Sequence, residues 1–205
     1  AILGFVETLQ EGAIEDRDTA KKFLTTIARH AERLNRLVED LLTISNIELG
    51  EMRFCFESVS LSGIAESVLN VIQLKAAGKR IDIATQIPEG LSPIRADRDR
   101  LSQILLNVLD NAVKFTPEGG KVTLAAEPFA GGEVVVRISD TGIGVPRDEI
   151  GRLGERFYRV DKTRSRELGG TGLGLSIVKH LMAAHRGRLE IESHLGHGTT
   201  VSLYF

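Results

Sequence analysis

The sequence predicts an α+β protein in which an N-terminal helical hairpin, expected to form a dimeric four-helix bundle, precedes an α/β sandwich domain with a mixed sheet packed on helices. Residues 1–48 contain no proline and carry apolar side chains at alternating steps of four and three. From residue 51 onward, strand-like alternation and helix-like periodicity follow one another, separated by turns. The first pattern predicts paired helices, and the second predicts a sheet with helices along it.

The hairpin is predicted to turn near Gly12, between two helices. The second helix carries a heptad seam made of Phe23, Ile27, His30, Leu34, Leu37, Leu41 and Ile44. Two short helices cannot bury a seam of this length alone, so we expect a homodimer through the hairpin. Packing of the hairpin against the remainder of its own chain is the alternative, because an amphipathic helix needs some apolar partner.

The domain boundary is predicted at residues 50–52, which divides the chain into 1–50 and 51–205. Asp97 is expected to cap a helix that ends at Phe115, because its carboxylate can accept from the free N–H groups of the first turn. In the second domain we expect helices at 61–77, 97–115 and 173–185, and strands at 53–59, 81–87, 93–95, 121–127, 133–139, 188–193 and 199–205.

The composition argues against several kinds of partner and site. The formal net charge of −2 gives no electrostatic reason to expect nucleic acid or an anionic membrane as a partner. Cys55 is the single cysteine, which excludes an internal disulfide and makes a reducing cytoplasm the simplest setting. No apolar run approaches the ~20 residues of a membrane span. One Cys and scattered His residues also lack the spacing of a metal cluster.

A polar stripe runs along the predicted helix that ends at Phe115. Asn107, Asn111 and Lys114 lie at i, i+4 and i+7, beside the apolar face of the helix. Asparagine carbonyl oxygens are hard ligands that suit Mg²⁺, and a lysine supplies positive charge to phosphate. The stripe therefore indicates the floor of a phosphate pocket, with an ordinary solvated helix edge as the alternative.

A second candidate feature is the sequence Asp-Thr-Gly-Ile-Gly at 140–144, directly after a predicted strand. The Asp140 carboxylate could accept a hydrogen bond from an exocyclic amine, and Gly142 and Gly144 permit a close backbone approach. A simple turn is the alternative, since Asp and Gly are common turn residues.

A glycine-rich segment at 169–175 opens the last predicted helix. Free backbone N–H groups and the positive end of a helix dipole favour phosphate there. The segment does not have the Walker pattern, because no Gly-Lys-Ser/Thr closes it. It does not fit the dinucleotide fingerprint either, since no βαβ unit with a ribose-binding acid follows in register.

Between the two glycine segments, residues 145–168 form a long polar stretch. From 156 to 166 this stretch carries five basic residues against one acid, Asp161, and the basic residues are Arg156, Arg159, Lys162, Arg164 and Arg166. A basic loop between two glycine motifs is typical of a lid over a polyphosphate. A solvated run of charges is the alternative.

Taken together, these motifs resemble the catalytic domain of sensor histidine kinases, within the wider ATPase superfamily that includes gyrase and Hsp90. On that resemblance, residues 107–114 look like the N box, 140–144 and 169–175 like the two glycine boxes, and 155–161 like the F box. Residues 196–199 are similar to the closing Gly-x-Gly-Thr segment, and the hairpin is similar to the dimerisation domain. Within the family, the likeness is greatest to the phosphate-regulon (PhoR-like) subgroup.

The resemblance implies ATP and Mg²⁺ as cofactors. Asp140 would bond the adenine amine, and Asn111 would ligate Mg²⁺ with help from Asn107. Lys114 and Arg159 would contact the phosphates, so the implied catalytic group is Asn107, Lys114 and Arg159. The other implied cofactor-binding residues are Gly142, Gly144, Gly170, Thr171, Gly172, Leu173 and Gly174.

The resemblance also implies the reaction. The chain would be a transmitter fragment that transfers the ATP γ-phosphoryl to a histidine, for relay to an aspartate on a response-regulator receiver domain. Hydrolysing relatives place a glutamate four residues before the metal-binding asparagine, whereas this chain has Asn107, which is not basic. The rival interpretations are a nucleotide-gated dimeric scaffold without transfer, another ATPase of the superfamily, or a serine kinase.

Two departures from the family pattern carry expectations of their own. Gly154 occupies the position of the first F-box phenylalanine, which predicts a looser lid. The acceptor box would precede Ala1, so we expect a fragment that binds nucleotide without labelling itself. The acceptor role is assigned to none of the histidines present, which are His30, His180, His185, His194 and His197. The fragment is expected in the cytoplasm, within a bacterial parent anchored to a membrane by segments outside this chain.

Overall fold

The computed structural model describes residues 2–161 and 170–205. Within these ranges the α-helices are α1 (Ile2–Thr8), α2 (Arg17–Glu48), α3 (Leu61–Ala77), α4 (Arg98–Phe115), α5 (Arg147–Ile150) and α6 (Gly174–Ala184). The strands are β1 (Phe56–Val59), β2 (Asp82–Gln86), β3 (Ile94–Asp97), β4 (Lys121–Pro128), β5 (Val134–Asp140), β6 (Arg188–His194) and β7 (Gly198–Tyr204). This confirms the predicted α+β class. None of the described helices combines the length and the hydrophobicity that a membrane span requires.

The N-terminal helices form the predicted hairpin. A π-helical turn at Leu9–Ala13 follows α1, and α2 begins after Asp16, whose carboxylate accepts a hydrogen bond from the backbone N–H of Asp18 at 3.2 Å. The Phe5 ring packs against Phe23 and His30, with centroids 5.2 and 6.5 Å away. Because Phe5 contacts the first half of α2, α1 runs antiparallel to it. His30 is half-buried and packs within the hairpin, and its place in a two-chain bundle stays a prediction.

The seam of α2 has two environments in the single chain. Near the C-terminal end of α2, Ile44 is 2% exposed within the main core, and Leu37 and Ile47 pack against that core. Other apolar side chains of the helix stay exposed in the single chain, and these are Leu24, Leu34, Val38, Leu41 and Leu42. The last part of the hairpin therefore packs on its own chain, while an apolar stripe remains available to a second chain.

The remainder of the chain is a two-layer sandwich. The larger sheet has the order β2-β4-β5-β7-β6, with β2 parallel to β4 and the other pairs antiparallel. Helices α3, α4 and α6 lie along this mixed sheet. β1 and β3 form a separate antiparallel pair beside α4. The segment that follows Asp140 at the end of β5 reaches the C-terminal end of α4, where the Ile143 N–H donates to the Phe115 carbonyl at 3.3 Å.

Helix α4 is central to the core, and its polar edge faces the candidate site. The Asp97 carboxylate accepts hydrogen bonds from the backbone N–H groups of Arg100 at 3.1 Å and Cys55 at 2.8 Å. The predicted cap is therefore confirmed. β1 begins at Phe56, and not at residue 53, because Phe56 pairs with Asp97, the last residue of β3. The buried face of α4 consists of Leu101, Ile104, Leu105, Val108, Leu109, Ala112 and Val113.

Candidate active site

A cavity of about 310 Å³ lies where α4, the end of β5, the entry to α6 and helix α2 meet. Its walls include these residues singled out from the sequence: Asn107, Asn111, Lys114, Asp140, Arg159, Gly170, Thr171, Gly172 and Gly174. Gly142, Gly144 and Leu173 do not line the cavity directly, and they shape the backbone beside it. The polar stripe of α4 and the two glycine segments, which are distant in the sequence, thus share one site.

The floor of the cavity is the polar edge of α4. Asn107, Asn111 and Lys114 are half-buried there, because the residues between them belong to the buried face of the helix. Gly174, the first residue of α6, lies so close to Asn107 that an added Cβ would be 3.4 Å from its Oδ1 atom. The two helices therefore bring the amide side chains of α4 next to the positive end of the α6 dipole.

The electrostatic environment of Lys114 is strongly perturbed. Burial lowers the pKa of its ammonium group to about 8, nearby Asp110 opposes that shift, and the positive charges of Arg159, Arg33 and Arg36 add to it. A lysine in this setting loses much of its charge near pH 8. A bound anion would favour the charged form, since an opposite charge within a few ångströms raises the pKa of an amine.

Asp140 ends β5 and is held by backbone groups. Its Oδ1 atom accepts hydrogen bonds from the N–H groups of Gly142 at 2.8 Å and Thr199 at 3.2 Å. Among the described residues no hydrogen bond goes to Oδ2. Burial raises the pKa of this carboxyl, and the two backbone hydrogen bonds oppose that rise. The side chain is therefore fixed by one oxygen and has the other available to a donor in the cavity.

The close packing around Asp140 also explains why position 198 is a glycine. Gly198 pairs across the strand end, and a Cβ there would lie 1.9 Å from the Asp140 carbonyl oxygen. Gly142 and Gly144 make the loop after β5 equally compact, with added Cβ atoms 2.5 Å from Asp140 Oδ1 and 2.0 Å from the His194 carbonyl oxygen. The Gly-x-Gly-Thr segment thus packs against the turn that presents Asp140.

The entry to α6 forms the wall opposite the α4 floor. Gly170, Thr171 and Gly172 line the cavity, while Leu173 is fully buried and anchors the loop in the core. The Thr171 hydroxyl accepts a hydrogen bond from the backbone N–H of Leu173 at 3.2 Å. Helix α6 then begins at Gly174, so its N-terminus opens toward the cavity, as phosphate binding requires. The predicted Gly169 lies outside the described residues.

The described part of the predicted lid, residues 145–161, folds over the same wall. Phe157 donates its backbone N–H to the Gly172 carbonyl at 3.0 Å, and Arg159 lines the cavity. Gly154 has φ +90, a conformation that side chains of L-residues rarely adopt, so the departure from phenylalanine matches the local backbone. The predicted basic residues Lys162, Arg164 and Arg166 lie outside the described residues, and the looser lid stays a prediction.

Helix α2 supplies cavity residues to which the sequence analysis gave no role in the site. Arg36 and Asp40 line the cavity, and Arg33 donates from Nη2 to the Gly170 carbonyl at 3.3 Å. The Thr171 hydroxyl donates to Asp40 Oδ2 at 2.9 Å. The sequence did contain a signal for this face, because Arg33, Arg36 and Asp40 lie at i, i+3 and i+7 and so share one side of the helix. It was overlooked because α2 was interpreted through its apolar seam alone.

The donor set of the cavity suits a hard cation bound together with phosphates. The described residues contain no group of three or more His, Cys, Asp and Glu side chains that could hold a metal unaided. Asn107 and Asn111 present amide side chains on the cavity wall, one helical turn apart. Mg²⁺ typically takes few protein ligands and completes its octahedron with phosphate oxygens and water, so the residues present fit that ion.

Comparison with protein families gives two matches. Residues 96–205 match the family described as histidine kinase-, DNA gyrase B- and HSP90-like ATPase. Residues 1–50 match the His Kinase A (phospho-acceptor) domain.

Two curated relatives match almost the whole chain. It is 35% identical over 199 residues to the sensor histidine kinase WalK of Bacillus subtilis, which covers 97% of this chain and 32% of that protein. It is 40% identical over 212 residues to the non-motile and phage-resistance protein of Caulobacter vibrioides, which covers 98% of this chain and 24% of that protein. The chain thus spans about a third or less of the length of these relatives.

Two solved structures are similar to the whole architecture. Full-length ShkA, crystallised in complex with AMPPNP, is 34% identical with a TM-score of 0.78, over 90% of this chain and 38% of that one. The histidine kinase AdeS of Acinetobacter baumannii has a TM-score of 0.80 at 21% identity, over 100% of this chain and 92% of that one. The second similarity supports the fold alone.

Proposed function

We propose that this chain, which belongs to the histidine kinase-, DNA gyrase B- and HSP90-like ATPase family, is the transmitter part of a sensor histidine kinase. It carries a phospho-acceptor-type domain before its ATPase domain, as sensor histidine kinases do. It binds Mg-ATP and transfers the γ-phosphoryl group to a histidine outside this chain. The phosphoryl group then passes to an aspartate on a response-regulator receiver domain.

The observation that carries this proposal is that the hairpin helix α2 forms one wall of the nucleotide cavity, through Arg36 and Asp40. Phe5 packs against Phe23, so α1 and α2 are antiparallel. A helical continuation of α1 upstream of Ile2 would reach the level of Asp40 in roughly three turns of 3.6 residues. An acceptor there would lie at the level of the cavity, which supports transfer to the hairpin over release of phosphate to water.

The proposed roles follow from the positions of the side chains. Asp140 accepts from the adenine amine through Oδ2, the oxygen that has no hydrogen bond within the described residues. Lys114 and Arg159 neutralise the phosphates, and the N-terminus of α6 contributes its dipole. Mg²⁺, held by Asn111 with help from Asn107, would neutralise charge on the phosphates. Phosphoryl transfer depends mainly on positioning and charge neutralisation, so the ATPase domain needs no nucleophile.

Asn107 also supports a kinase over a hydrolase. Its amide side chain has no useful basicity, so it cannot take a proton from an attacking water molecule. A site that activates water poorly preserves ATP for another acceptor. We propose that the position matters for this reason, in addition to its contact with the metal.

The remaining features of the proposal concern organisation. The dimerisation unit comprises residues 1–50 and the catalytic unit 51–205, and two chains associate through the exposed apolar stripe of α2, which includes Leu34 and Leu41. The receiver domain of a response regulator is the protein partner. The parent is anchored to a membrane only through segments outside this chain, and membership of the PhoR-like subgroup stays a prediction.

The test is a longer form of the protein that extends about twenty residues upstream, enough for several helical turns. It is incubated with γ-labelled ATP and Mg²⁺ beside the chain itself and an Asn111→Ala variant of the longer form. We expect acid-labile, base-stable label on the longer form alone. Tight nucleotide binding without any label would favour the nucleotide-gated scaffold, and full labelling of the Asn111→Ala variant would contradict the metal role.

A further inference from the structure

We infer that helix α2 supplies part of the phosphate-binding site, with Arg33 and Arg36 holding the terminal phosphate groups of the nucleotide. This inference rests on the proposed function and goes beyond it, because it gives the dimerisation hairpin a direct contact with the nucleotide.

The first argument is position. Arg33, Arg36 and Asp40 share one face of α2, and that face borders the cavity through Arg36 and Asp40. Arg33 donates to the carbonyl of Gly170, which belongs to the loop that enters α6. Asp140, the proposed adenine contact, lies at the end of β5 instead. The two arginines therefore stand at the phosphate end of the cavity.

The second argument is unused hydrogen-bonding capacity. The Nε atom of Arg33 is buried and has no hydrogen-bond partner within the described residues. Among the described residues, the one hydrogen bond of the Arg36 side chain goes to the Glu32 carbonyl of its own helix, at 3.4 Å, which is near the limit for a hydrogen bond. A guanidinium group carries five N–H donors in a fork that matches phosphate oxygens. Both side chains thus retain donors for an anion.

The third argument is charge. Arg36, Lys114 and Arg159 line the cavity, and the charges of Arg33, Arg36 and Arg159 all act on Lys114. Four cationic groups therefore lie in or beside one cavity. The carboxylates facing them are largely engaged: Asp110 pairs with Lys75 at 2.5 Å, and Asp40 accepts from Thr171. Glu155 and Asp161 also line the cavity wall. Cations gathered in a partly buried site repel one another, and a polyphosphate would relieve that repulsion.

The consequence is coupling between nucleotide and hairpin. If α2 binds the terminal phosphates, ATP holds the hairpin against the ATPase domain more tightly than AMP does, and by linkage the docked hairpin strengthens ATP binding by the same factor. The affinity for a nucleotide without β- and γ-phosphates would not depend on the two arginines.

The experiment measures ATP, ADP and AMP affinities of the full chain by calorimetry, with Mg²⁺, for Arg33→Gln and Arg36→Gln. The matched control is Arg17→Gln, which makes the same change of charge at an exposed position of the same helix, roughly 28 Å along its axis from Arg36 at 1.5 Å per residue. Each test variant should bind ATP about tenfold more weakly, the order expected for loss of a hydrogen bond to a charged group, with AMP affinity changed less than about twofold. The control should match the wild type.

Other results would overturn the inference. Wild-type affinity for ATP in both test variants would exclude the contact. An equal loss for ATP and AMP would indicate a structural effect on the cavity and not a phosphate contact. Failure of the wild-type chain to bind any nucleotide would reject the proposed function as well, whereas a loss confined to the two variants' ATP binding supports both.

Discussion

The Thr171 hydroxyl donates a hydrogen bond to the Asp40 carboxylate at 2.9 Å, and this contact joins the glycine-rich loop to the hairpin helix across 131 positions of sequence. Burial raises the pKa of the Asp40 carboxyl, and the hydrogen bond from Thr171 opposes that rise. Further along α2, Glu48 forms an ion pair with Arg156 and lies 3.5 Å from the His180 ring nitrogen. The hairpin therefore contacts both the phosphate loop and the lid.

Thr171→Val should loosen the loop that enters α6. The hydroxyl both donates to Asp40 and accepts from the backbone N–H of Leu173, so valine removes both bonds without much change in shape. We expect faster amide hydrogen exchange at Leu173. Asp40→Asn is the control that keeps the hydrogen bond, because the asparagine carbonyl oxygen still accepts from the Thr171 hydroxyl. Identical exchange at Leu173 in the wild type and both variants would show that the contact does not hold the loop.

The lowered pKa of Lys114 leads us to expect that the protein takes up protons when it binds ATP. With its pKa lowered to about 8, mainly by burial, the side chain is partly deprotonated near that pH. Phosphates next to it favour the charged form and raise its pKa, so the bound protein takes up a proton fraction that grows as the pH rises through about 8, and affinity falls over the same range. Calorimetry in buffers of different ionisation enthalpy measures this uptake. Lys114→Gln should abolish it, and persistence in that variant would assign the proton to another group.

Asp140→Asn should abolish ATP binding without lowering the stability of the fold. Burial raises the pKa of Asp140, so the folded state favours the protonated form, and the ionised carboxylate destabilises the fold as pH rises above the ordinary value of 3.8. Asparagine keeps an oxygen for the N–H groups of Gly142 and Thr199 and carries no charge. We expect unchanged or greater resistance to urea at pH 7, together with loss of ATP binding.

The pH dependence supplies the control for that variant. The advantage of Asp140→Asn over the wild type in free energy of unfolding should grow as pH increases from about 4 to 7, since the cost of the charge is absent below the unfolded-state pKa. A difference that shrinks over this interval would mean that the ionised carboxylate stabilises the fold.

The features that could be predicted from the sequence are local ones. Asp97 as a cap and the stripe of Asn107, Asn111 and Lys114 depend on spacing along one helix, and the structure has them on α4 as expected. The turn near Gly12 was equally local, and this residue has φ 123 between the two helices of the hairpin. Such features need little knowledge of distant contacts.

The part that could not be predicted depends on docking. Arg36 and Asp40 reach the cavity only because the C-terminal end of α2 packs on the ATPase domain through Ile44. Their spacing marks a face of the helix, and the partner of that face is determined by tertiary contacts of long sequence separation. Lys79 was missed for the same reason, since its partners belong to the end of another helix.

Lys79→Met should destabilise the fold by about 2 kcal/mol, the order expected for hydrogen bonds from a charged donor. The Lys79 ammonium donates to the carbonyl oxygens of Val113, Lys114 and Thr116 at 2.8, 2.9 and 2.6 Å, so it caps the C-terminus of α4 beside the site. Urea unfolding measures the change. The control is Lys75→Met, which removes a lysine of α3 from an exposed ion pair with Asp110 and should cost less than about 1 kcal/mol. Equal losses would exclude the cap as the cause.

Leu34→Asp should dissociate the proposed dimer. Leu34 is 57% exposed in the single chain although it belongs to the heptad seam of α2, and a second hairpin would bury it. A carboxylate in that interface would have to be desolvated without a partner, which strongly disfavours association. Light scattering coupled to size exclusion should report a dimer for the wild type and a monomer for the variant.

The matched control for the dimer is Leu74→Asp, which makes the same substitution at a leucine of α3 that is 82% exposed and outside the seam. It should remain dimeric at the same protein concentration. A wild-type chain that is monomeric at micromolar concentration would contradict the homodimer. Dissociation by both variants would locate the interface elsewhere than α2, because an exposed leucine on the ATPase domain has no part in a four-helix bundle of two hairpins.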